Sequence, residues 1–418
     1  MIFKVLACAF FLGGVSWAEV PSSASAVPEA PALRLLQACV EQSGGSTLVS
    51  PFSLYETLRY LLPGAGGETK KQMESVLPGD GAVRKDWAFL SKETARWVRT
   101  CSANRVFVDS SVKLKPDYVD AVGRSAVAEA PFRSDRAAAV QLLNAWVERR
   151  TENRIKGLLR PDMLAENTSL VLVNSLYIRV FWKNKFKKEE TRKRLFVRED
   201  GSSSKVPMMK QDVFTEGVME GGKYYEKDGV RGVSLFLKGG KDAPVFVAVL
   251  PPDGKKLKGF VEEMTADEWI GILAALSARD SDEALAEARK KSPDSFAACC
   301  LELPRFSQSS RAVSLKNALI SLGMKDAFTT RADFSLLGDD PLGPLKVDDV
   351  YQKCVIRVEE KGMEVAAVSG IEMDPFGSPA REPGPVVEFN RPFLWLVYSP
   401  ADHAVLFAGT YEGPPVGP

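Results

Sequence analysis

The stretch 355–389, VIRVEEKGMEVAAVSGIEMDPFGSPAREPGPVVEF, joins two different patterns. From Met363 to Asp374, small or apolar side chains occupy every second position, and the intervening set includes Glu364 and Glu372. Successive side chains of a strand point to opposite faces, so the first set could be buried while the charged set is exposed. The prolines and glycines of 375–385 are excluded from a central strand and indicate an exposed loop. The stretch therefore predicts a segment that is exposed to solvent but has the side-chain pattern to become a strand of a sheet.

The bulk composition describes a large folded protein. The chain has 418 residues, a formal net charge of +1 and 45% hydrophobic residues, which is enough for a sizeable core. The balanced charge gives no argument for a nucleic-acid partner. Beyond the N-terminus there is no apolar run of about 18 residues, so we expect no membrane span.

The N-terminus has the pattern of a secretory signal over residues 1–18. Lys4 precedes the apolar run 5–15, and Ser16 and Ala18 supply small residues for cleavage after Ala18. A Ser/Ala/Pro-rich linker is predicted over 19–31. The sequence thus predicts a secreted, extracellular protein, or a periplasmic one in a bacterium. The five later cysteines are irregularly spaced and are expected to be core thiols. They are Cys39, Cys101, Cys299, Cys300 and Cys354.

Hydrophobic periodicity predicts a mixture of helices and strands. Helices are predicted at 32–42, 52–62, 69–77, 86–99, 144–155, 256–263, 266–276 and 315–322. Strands are predicted at 102–108, 170–178, 230–237, 244–251, 301–306, 394–398 and 404–409. The charged, Ala-rich stretch 278–295 is interpreted as a solvated helical insertion, and the basic stretch 183–194 as a solvated face.

Several motifs, in order along 32–412, resemble those of the serpins, the serine-protease-inhibitor family. The hinge before the reactive loop is matched by Glu360, Lys361, Gly362, Met363, Glu364, Val365, Ala366 and Ala367. Others are Ser50-Pro51-Phe52-Ser53, Ala103-Asn104, Asn144-Ala145-Trp146-Val147, Asn174 with Tyr177 and Trp182, and Ala332-Asp333-Phe334-Ser335. The resemblance implies an α+β fold in one domain, 32–418. That fold has large, mainly antiparallel sheets, about eight or nine helices and an exposed reactive loop at about 360–388.

The resemblance also implies a function without enzymatic turnover. A serpin is a suicide substrate of a serine endopeptidase, or of a cysteine endopeptidase, and traps the acyl-enzyme when the cleaved loop enters the central sheet. The usual sixteen-residue step from Glu360 places the reactive bond at Phe376–Gly377, which favours a chymotrypsin-like target. Counting back from Phe389 gives the second choice, Arg381–Glu382, which would suit a trypsin-like protease; Met373 is a third candidate.

Further positions correspond to the family's shutter and breach, which control opening of the sheet. They are Ser50, Ser53, Asn174, Trp182, Gln352 and Arg305. Gln352 stands where the family has His, and we expect it to donate to Asn174 and Ser53. Arg305 is expected to contact Glu360. Met363 and Val365 are larger than the family's usual residues, so a non-inhibitory binding or carrier protein, or a protease substrate, stays open as the alternative.

Residue counts argue against a hydrolase, the third possibility. The sole histidine, His403, is predicted in an exposed turn, and no Gly-x-Ser-x-Gly elbow accompanies it. Neither a zinc motif nor a dinucleotide fingerprint is present, so we expect no metal and no cofactor. The expected partner is a target protease, and the expected state is a monomer that binds no nucleic acid.

Overall fold

The computed structural model describes residues 29–79, 87–91, 94–214, 221–278, 298–310, 313–363 and 383–414. Eight α-helices lie in this part of the chain. They are α1 Ala30–Gln42, α2 Pro51–Leu61, α3 Gly67–Val76, α4 Pro116–Val122, α5 Arg136–Arg150, α6 Leu257–Glu263, α7 Ala266–Ser277 and α8 Lys316–Ser321. None of these helices is long and apolar enough to cross a bilayer.

Twenty strands are formed by the same residues. The first ten are β1 Leu48–Val49, β2 Arg99–Ser102, β3 Arg105–Asp109, β4 Lys113–Leu114, β5 Val127–Ala130, β6 Leu170–Phe181, β7 Arg192–Val197, β8 Ser203–Phe214, β9 Gly222–Lys227 and β10 Val230–Phe236. The others are β11 Val245–Leu250, β12 Ala298–Pro304, β13 Phe306–Ser309, β14 Val313–Ser314, β15 Gly338–Asp339, β16 Asp349–Glu359, β17 Gly362–Met363, β18 Pro383–Glu388, β19 Phe393–Ser399 and β20 Ala404–Tyr411.

These strands form three principal sheets. The large sheet has the order β13-β16-β17-β6-β3-β5, with β14 beside β16 and β2 beside β6. A six-stranded antiparallel sheet has the order β1-β20-β19-β11-β10-β9, and a four-stranded sheet has the order β18-β12-β8-β7. Most pairings are antiparallel; β16 with β6, β3 with β5 and β12 with β18 are parallel.

Strand β6 forms the middle of the large sheet, as its continuous apolar run predicts. Its two faces contribute to different parts of the core. Leu176, Ile178 and Val180 pack toward the six-stranded sheet, whereas Val173 and Tyr177 pack with residues of α5. The alternation of side chains along β6 therefore determines which layer each residue contacts.

Helix α2 shows the predicted start. The Ser50 side chain accepts a hydrogen bond from the Ser53 backbone N–H, and Pro51 is in the first turn, where its missing N–H costs no helical bond. Helix α1 begins at Ala30, so Ala30 and Pro31 belong to the helix and not to the predicted 19–31 linker. Pro31 in the first turn favours that earlier start.

The helix predicted at 86–99 is wrong where the structure describes it. Ala88–Leu90 and Thr94–Arg96 are short 3-10 helices, and Arg99 already begins β2. The carboxylate of Asp402 accepts hydrogen bonds from the backbone N–H groups of Ala88 (2.7 Å) and Phe89 (3.1 Å). A partner distant in sequence thus stabilises a turn that local periodicity cannot reveal.

Candidate functional site

The site is an opening between the two central strands of the large sheet. Strands β16 and β6 pair directly and in parallel along 349–354 and 171–176, where Gln352 lies opposite Asn174. Continuing that register would place Val358 opposite Val180. Instead the two strands separate there, and β17 lies between them: Met363 pairs with both Val358 and Val180. The sheet is therefore closed along one half and open by one strand along the other.

The turn that leads into β17 is held by backbone and side-chain donors. The indole N–H of Trp182 donates to the carbonyl of Glu359 at 2.7 Å. The Phe186 N–H donates to the Glu360 carbonyl at 2.9 Å, and the Trp182 N–H donates to the Lys361 carbonyl at 3.2 Å. Three successive carbonyls of the turn are thus satisfied by one segment. Trp182 is fully buried and packs edge-on against Phe186, which fixes the position of its donor.

Glu360 contacts Arg305, as the sequence predicts. Arg305 Nη1 lies 3.4 Å from Glu360 Oε1, and the same oxygen accepts from Thr191 Oγ1 at 3.0 Å. Glu360 is buried, whereas the Arg305 side chain is 42% exposed. Solvent therefore weakens the ion pair, and the Thr191 hydroxyl supplies a second contact.

Gly362 is required by close approach of the backbone. A Cβ atom at this residue would lie 2.1 Å from the carbonyl oxygen of Val180 and 2.8 Å from Cα of Phe181. Its φ of +155° also lies in a region that favours glycine. The next residue, Met363, is fully buried among apolar side chains. This confirms, for Met363, the predicted burial of its alternating set.

A buried polar cluster lies where β16 and β6 still pair. Gln352 Oε1 accepts from the Ser50 N–H at 2.8 Å, and Gln352 Nε2 donates to the Ser50 carbonyl at 2.9 Å and to Asn174 Oδ1. Asn174 Nδ2 in turn donates to the Tyr351 carbonyl at 3.2 Å. The cluster links α2 to both central strands without a charged group.

One predicted contact of this cluster is wrong. Gln352 does not bond Ser53, whose hydroxyl donates to Asn104 Oδ1 at 2.7 Å instead. The Gln352 amide already pairs with both backbone groups of Ser50, the residue that caps the start of α2. Asn104 is the member of the cluster that sequence reasoning missed as a site residue, although the Ala103-Asn104 motif contained the signal.

Two chemically reactive side chains, Cys354 of β16 and His403 between β19 and β20, lie in different parts of the fold. Burial raises the pKa of Cys354 to about 12, so its thiol stays protonated at neutral pH. His403 Nδ1 lies 2.7 Å from Glu29 Oε1, which also accepts from the Tyr398 hydroxyl at 2.6 Å. The His403 side chain is 63% exposed, as predicted for a turn residue. Among the described residues no cluster of His, Cys, Asp or Glu could hold a metal ion.

Comparison with known proteins settles the family. A family model described as Serpin (serine protease inhibitor) matches residues 28–414. This chain belongs to the serpin family. The α+β fold and the family resemblance predicted from the sequence are both confirmed. Serpins as a family inhibit proteases and are not catalytic enzymes.

Relatives of this serpin match over nearly their whole length. Iris of Ixodes ricinus is 30% identical over 378 residues, which cover 88% of this chain and 93% of that protein. The structure of native protease nexin-1 with heparin superposes with a TM-score of 0.73 at 25% identity, covering 94% of this chain and 99% of that one. Human thyroxine-binding globulin shares the fold with a TM-score of 0.73 at 21% identity, covering 94% and 99%.

Part of the predicted serpin site lies outside the described residues. The hinge residues concerned are Glu364, Val365, Ala366 and Ala367, and the reactive-bond candidates are Met373, Phe376, Gly377, Arg381 and Glu382. The signal 1–18 and most of the insertion 278–295 also lie there. The described site residues converge at two places: Trp182, Arg305, Glu360, Gly362 and Met363 at the open half of the sheet, and Ser50, Asn174 and Gln352 in the closed half.

Proposed function

We propose that this serpin is a suicide-substrate inhibitor of a serine endopeptidase, with a cysteine endopeptidase as the other candidate target. The position of β17 carries the proposal. Gly362 and Met363 already occupy the path between β16 and β6, in antiparallel register with both strands. Residues that follow Met363 would extend an existing strand after loop cleavage, which avoids the costly first step of pairing.

The register gives the partners of each further residue, because antiparallel pairing advances by one residue on each strand. The odd-numbered residues 365, 367, 369 and 371 would continue on the face of Met363. Their neighbours would be Ile356 and Ile178, Cys354 and Leu176, Gln352 and Asn174, and Val350 and Leu172. All eight of these neighbours are buried. Each large apolar residue added to this face would gain roughly 1.5–3 kcal/mol from burial.

The opposite face is more varied than alternation alone predicts. Glu364 would lie between Arg357, which is exposed, and Arg179, which is half-buried. An inserted carboxylate between two guanidinium groups favours the first step beyond Met363. Further along, this face is buried at Tyr177 and Tyr351 against residues of α5. Only the first part of the charged set would therefore remain in solvent after insertion.

Insertion also breaks contacts in the closed half. The direct pairing of 349–354 with 171–176 would be lost, together with the bond between Gln352 and Asn174. Ser369 would lie between these two side chains, and its hydroxyl can both donate and accept. Each new strand hydrogen bond contributes roughly 1 kcal/mol net. One parallel interface is replaced by two antiparallel ones, so the exchange is favourable.

The two larger hinge residues differ in their consequence. Met363 is already accommodated in the apolar core, so its size does not obstruct the first position. Val365 would have to enter between Ile356 and Ile178, where overpacking costs roughly 1–3 kcal/mol. This residue is the specific observation that favours the second candidate function, a non-inhibitory binding or carrier protein. A crowded early step slows insertion and lets a protease complete hydrolysis and leave.

The length of the tether favours Phe376–Gly377 as the reactive bond. Strand β6 begins at Leu170, so Met373 is the last inserted residue that would find a partner on it. Three residues would then join that point to Phe376, and eight would join it to Arg381. At about 3.5 Å per extended residue, the reach is about 10 Å or about 28 Å. The shorter tether holds an acylated protease against the end of the sheet, as distortion of its active site requires.

Phe376 indicates a protease with a large apolar pocket, such as a chymotrypsin-like enzyme. The N-terminal pattern of 1–18 supports export with cleavage after Ala18, so such a target would be extracellular or periplasmic. We further propose a monomeric single domain that begins with helix α1 at Ala30. Sequencing the N-terminus of the protein recovered from the culture medium of the organism that produces it tests the export proposal directly.

The deciding experiment is incubation of the purified protein with chymotrypsin or trypsin, followed by a denaturing gel. A covalent complex with chymotrypsin, and a released fragment beginning at Gly377 by mass spectrometry, is the expected result. The melting temperature of the nicked protein should be much higher than the melting temperature of the intact protein. Cleavage without a complex, and with no gain in melting temperature, would favour the second candidate. A complex with trypsin alone and a fragment beginning at Glu382 would move the reactive bond to Arg381.

A further inference from the structure

A cavity of about 780 Å³ lies between the edge of the large sheet, helices α1 and α8, and the start of the four-stranded sheet. This volume is in the range of sites for small organic ligands, roughly 300–1,000 Å³. Apolar side chains supply much of its wall. They include Leu48, Val49, Val206, Phe306, Leu315 and Tyr411.

The charge of the cavity has one sign. Lys205 and Arg305 are the charged residues among its described lining, which contains no carboxylate. The Arg305 N–H donates to the Pro207 carbonyl at 2.8 Å, and Pro207 is two residues from Lys205 on β8. The two cationic residues therefore lie near each other, at the same end of the cavity lining. Cys39 adds no anion, because burial raises its pKa to about 12.

Away from this end, the lining residue Gln308 already has partners for its side-chain amide. Gln308 Nε2 donates to the carbonyls of Thr410 (2.9 Å) and Thr47 (3.3 Å), and Gln308 Oε1 accepts from the Trp395 indole at 2.9 Å. A ligand would thus meet an apolar wall, a structural amide and a cationic end. We infer that the cavity binds an amphipathic carboxylate, an apolar chain or ring system with one anionic head, and that Arg305 takes the head.

Arg305 connects this site to the hinge. In the ligand-free protein its guanidinium contacts Glu360 at 3.4 Å, and a carboxylate in the cavity competes for the same group. Glu360 would keep its bond from Thr191, so loss of Arg305 loosens the hinge turn and does not unfold it. Ligand binding therefore weakens retention of the turn that precedes Gly362. This coupling goes beyond inhibition of a protease and does not depend on it.

Isothermal titration with sodium decanoate tests the site, and decyltrimethylammonium, which has the same chain and the opposite charge, is the matched control. We expect decanoate to bind with one-to-one stoichiometry and the cation to bind at least ten-fold more weakly. The double variant K205M/R305M should lose at least ten-fold in decanoate affinity, whereas K193M, an exposed cation outside the cavity, should not change it. The variant S309W, which places an indole at an exposed lining residue, should block binding.

Equal affinity for both detergents, or undiminished decanoate binding by K205M/R305M and S309W, would overturn the site. Hydrogen–deuterium exchange tests the coupling. The amides of Trp182 and Phe186 donate to hinge carbonyls, so their exchange should rise several-fold on decanoate addition and in R305M without ligand. Decanoate binding with unchanged exchange at both amides would refute the coupling alone. Complex formation with chymotrypsin is measured separately, so failure of this inference and failure of the inhibitor proposal are distinguishable.

Discussion

Val180 and Val358 face one another across Met363, although the register of their strands would otherwise make them direct partners. The large sheet is thus already open at this point by the width of one strand. Because Met363 is fully buried there, the inserted residue is part of the core. The position of the hinge residue Met363 and the separation of β16 from β6 therefore depend on each other.

Replacing Gly362 by Ala should expel the hinge from the sheet. The added methyl group would lie 2.1 Å from the Val180 carbonyl oxygen, a distance that no small adjustment relieves. We expect the free energy that favours the paired position of β17 to fall by about 1–3 kcal/mol. Hydrogen–deuterium exchange should show a more than ten-fold rise at the amides of Trp182 and Phe186.

The control for this variant is Gly271→Ala on α7, where a Cβ atom would meet nothing within 4 Å. It adds the same methyl group to a helix, where Ala is favoured over Gly by roughly 1 kcal/mol. Exchange at the hinge should be unchanged in this variant. Similar exchange in both variants would show that the close approach at Gly362 does not determine the hinge position.

Replacing Trp182 by Phe should loosen the turn before β17 by removing the donor to the Glu359 carbonyl. A buried carbonyl without its partner costs roughly 1–3 kcal/mol. The measurable result is faster uptake of a synthetic peptide with the sequence of 364–376 by the intact protein. Trp269→Phe is the matched control, since Trp269 is equally buried and its indole N–H has no partner in the described structure. Equal rates in the two variants would contradict a role for this hydrogen bond.

The elements that local pattern determines were predictable from the sequence. Strand β6 is a continuous apolar run, and α2 has a Ser cap followed by Pro, so both were found with nearly correct bounds. The contact of Arg305 with Glu360 followed from the family resemblance. The helix expected at 86–99 failed because Asp402, about 300 residues later, satisfies the backbone of Ala88 and Phe89.

The open half of the sheet could not be predicted in the same way. The pattern 363–374 indicates a strand, but nothing local shows that its first residue already pairs with Val180. The bond of Gln352 to the Ser50 backbone, and not to the Ser53 hydroxyl, depends equally on how α2 is placed against β16. Such choices depend on packing between distant segments, which residue type alone does not encode.

Gln352→Met should destabilise the closed half of the large sheet. The substitution keeps the shape of the side chain but leaves both backbone groups of Ser50, and Asn174, without their present partner. We expect the free energy of unfolding to fall by about 2–4 kcal/mol, which a lower urea midpoint would show. The variant should also take up the 364–376 peptide faster than the wild type. Gln211→Met is the control: this buried glutamine has an amide nitrogen without a partner in the described chain. A loss as large for Gln211 as for Gln352 would mean that the cluster has no special role.

The last prediction concerns the far end of the inserted strand. By the register above, Glu372 would lie between Asp349 and Val171, which places one carboxylate beside another. Burial already raises the pKa of Asp349 above its ordinary value, with hydrogen bonds from Ser314 and the Val350 N–H acting in the opposite direction. A neighbouring carboxylate would raise it further and favour a proton shared by the pair.

The sign of the pH dependence follows from this. An acid whose pKa is raised in the folded state binds more protons there than when unfolded, so it destabilises the fold progressively as pH rises from its unfolded pKa to its folded pKa. The nicked, inserted form should therefore be more stable at pH 5 than at pH 8. Glu372→Gln should remove much of this difference, and raise the melting temperature of the nicked form at pH 8 while leaving that of the intact form unchanged. Glu388→Gln, at a residue of β18 away from the inserted strand, is the control and should alter neither. If the nicked Glu372→Gln protein melts like the nicked wild type at pH 8, the inserted strand does not end where this register places it. That result would refute the register, and with it the tether lengths to Phe376 and Arg381.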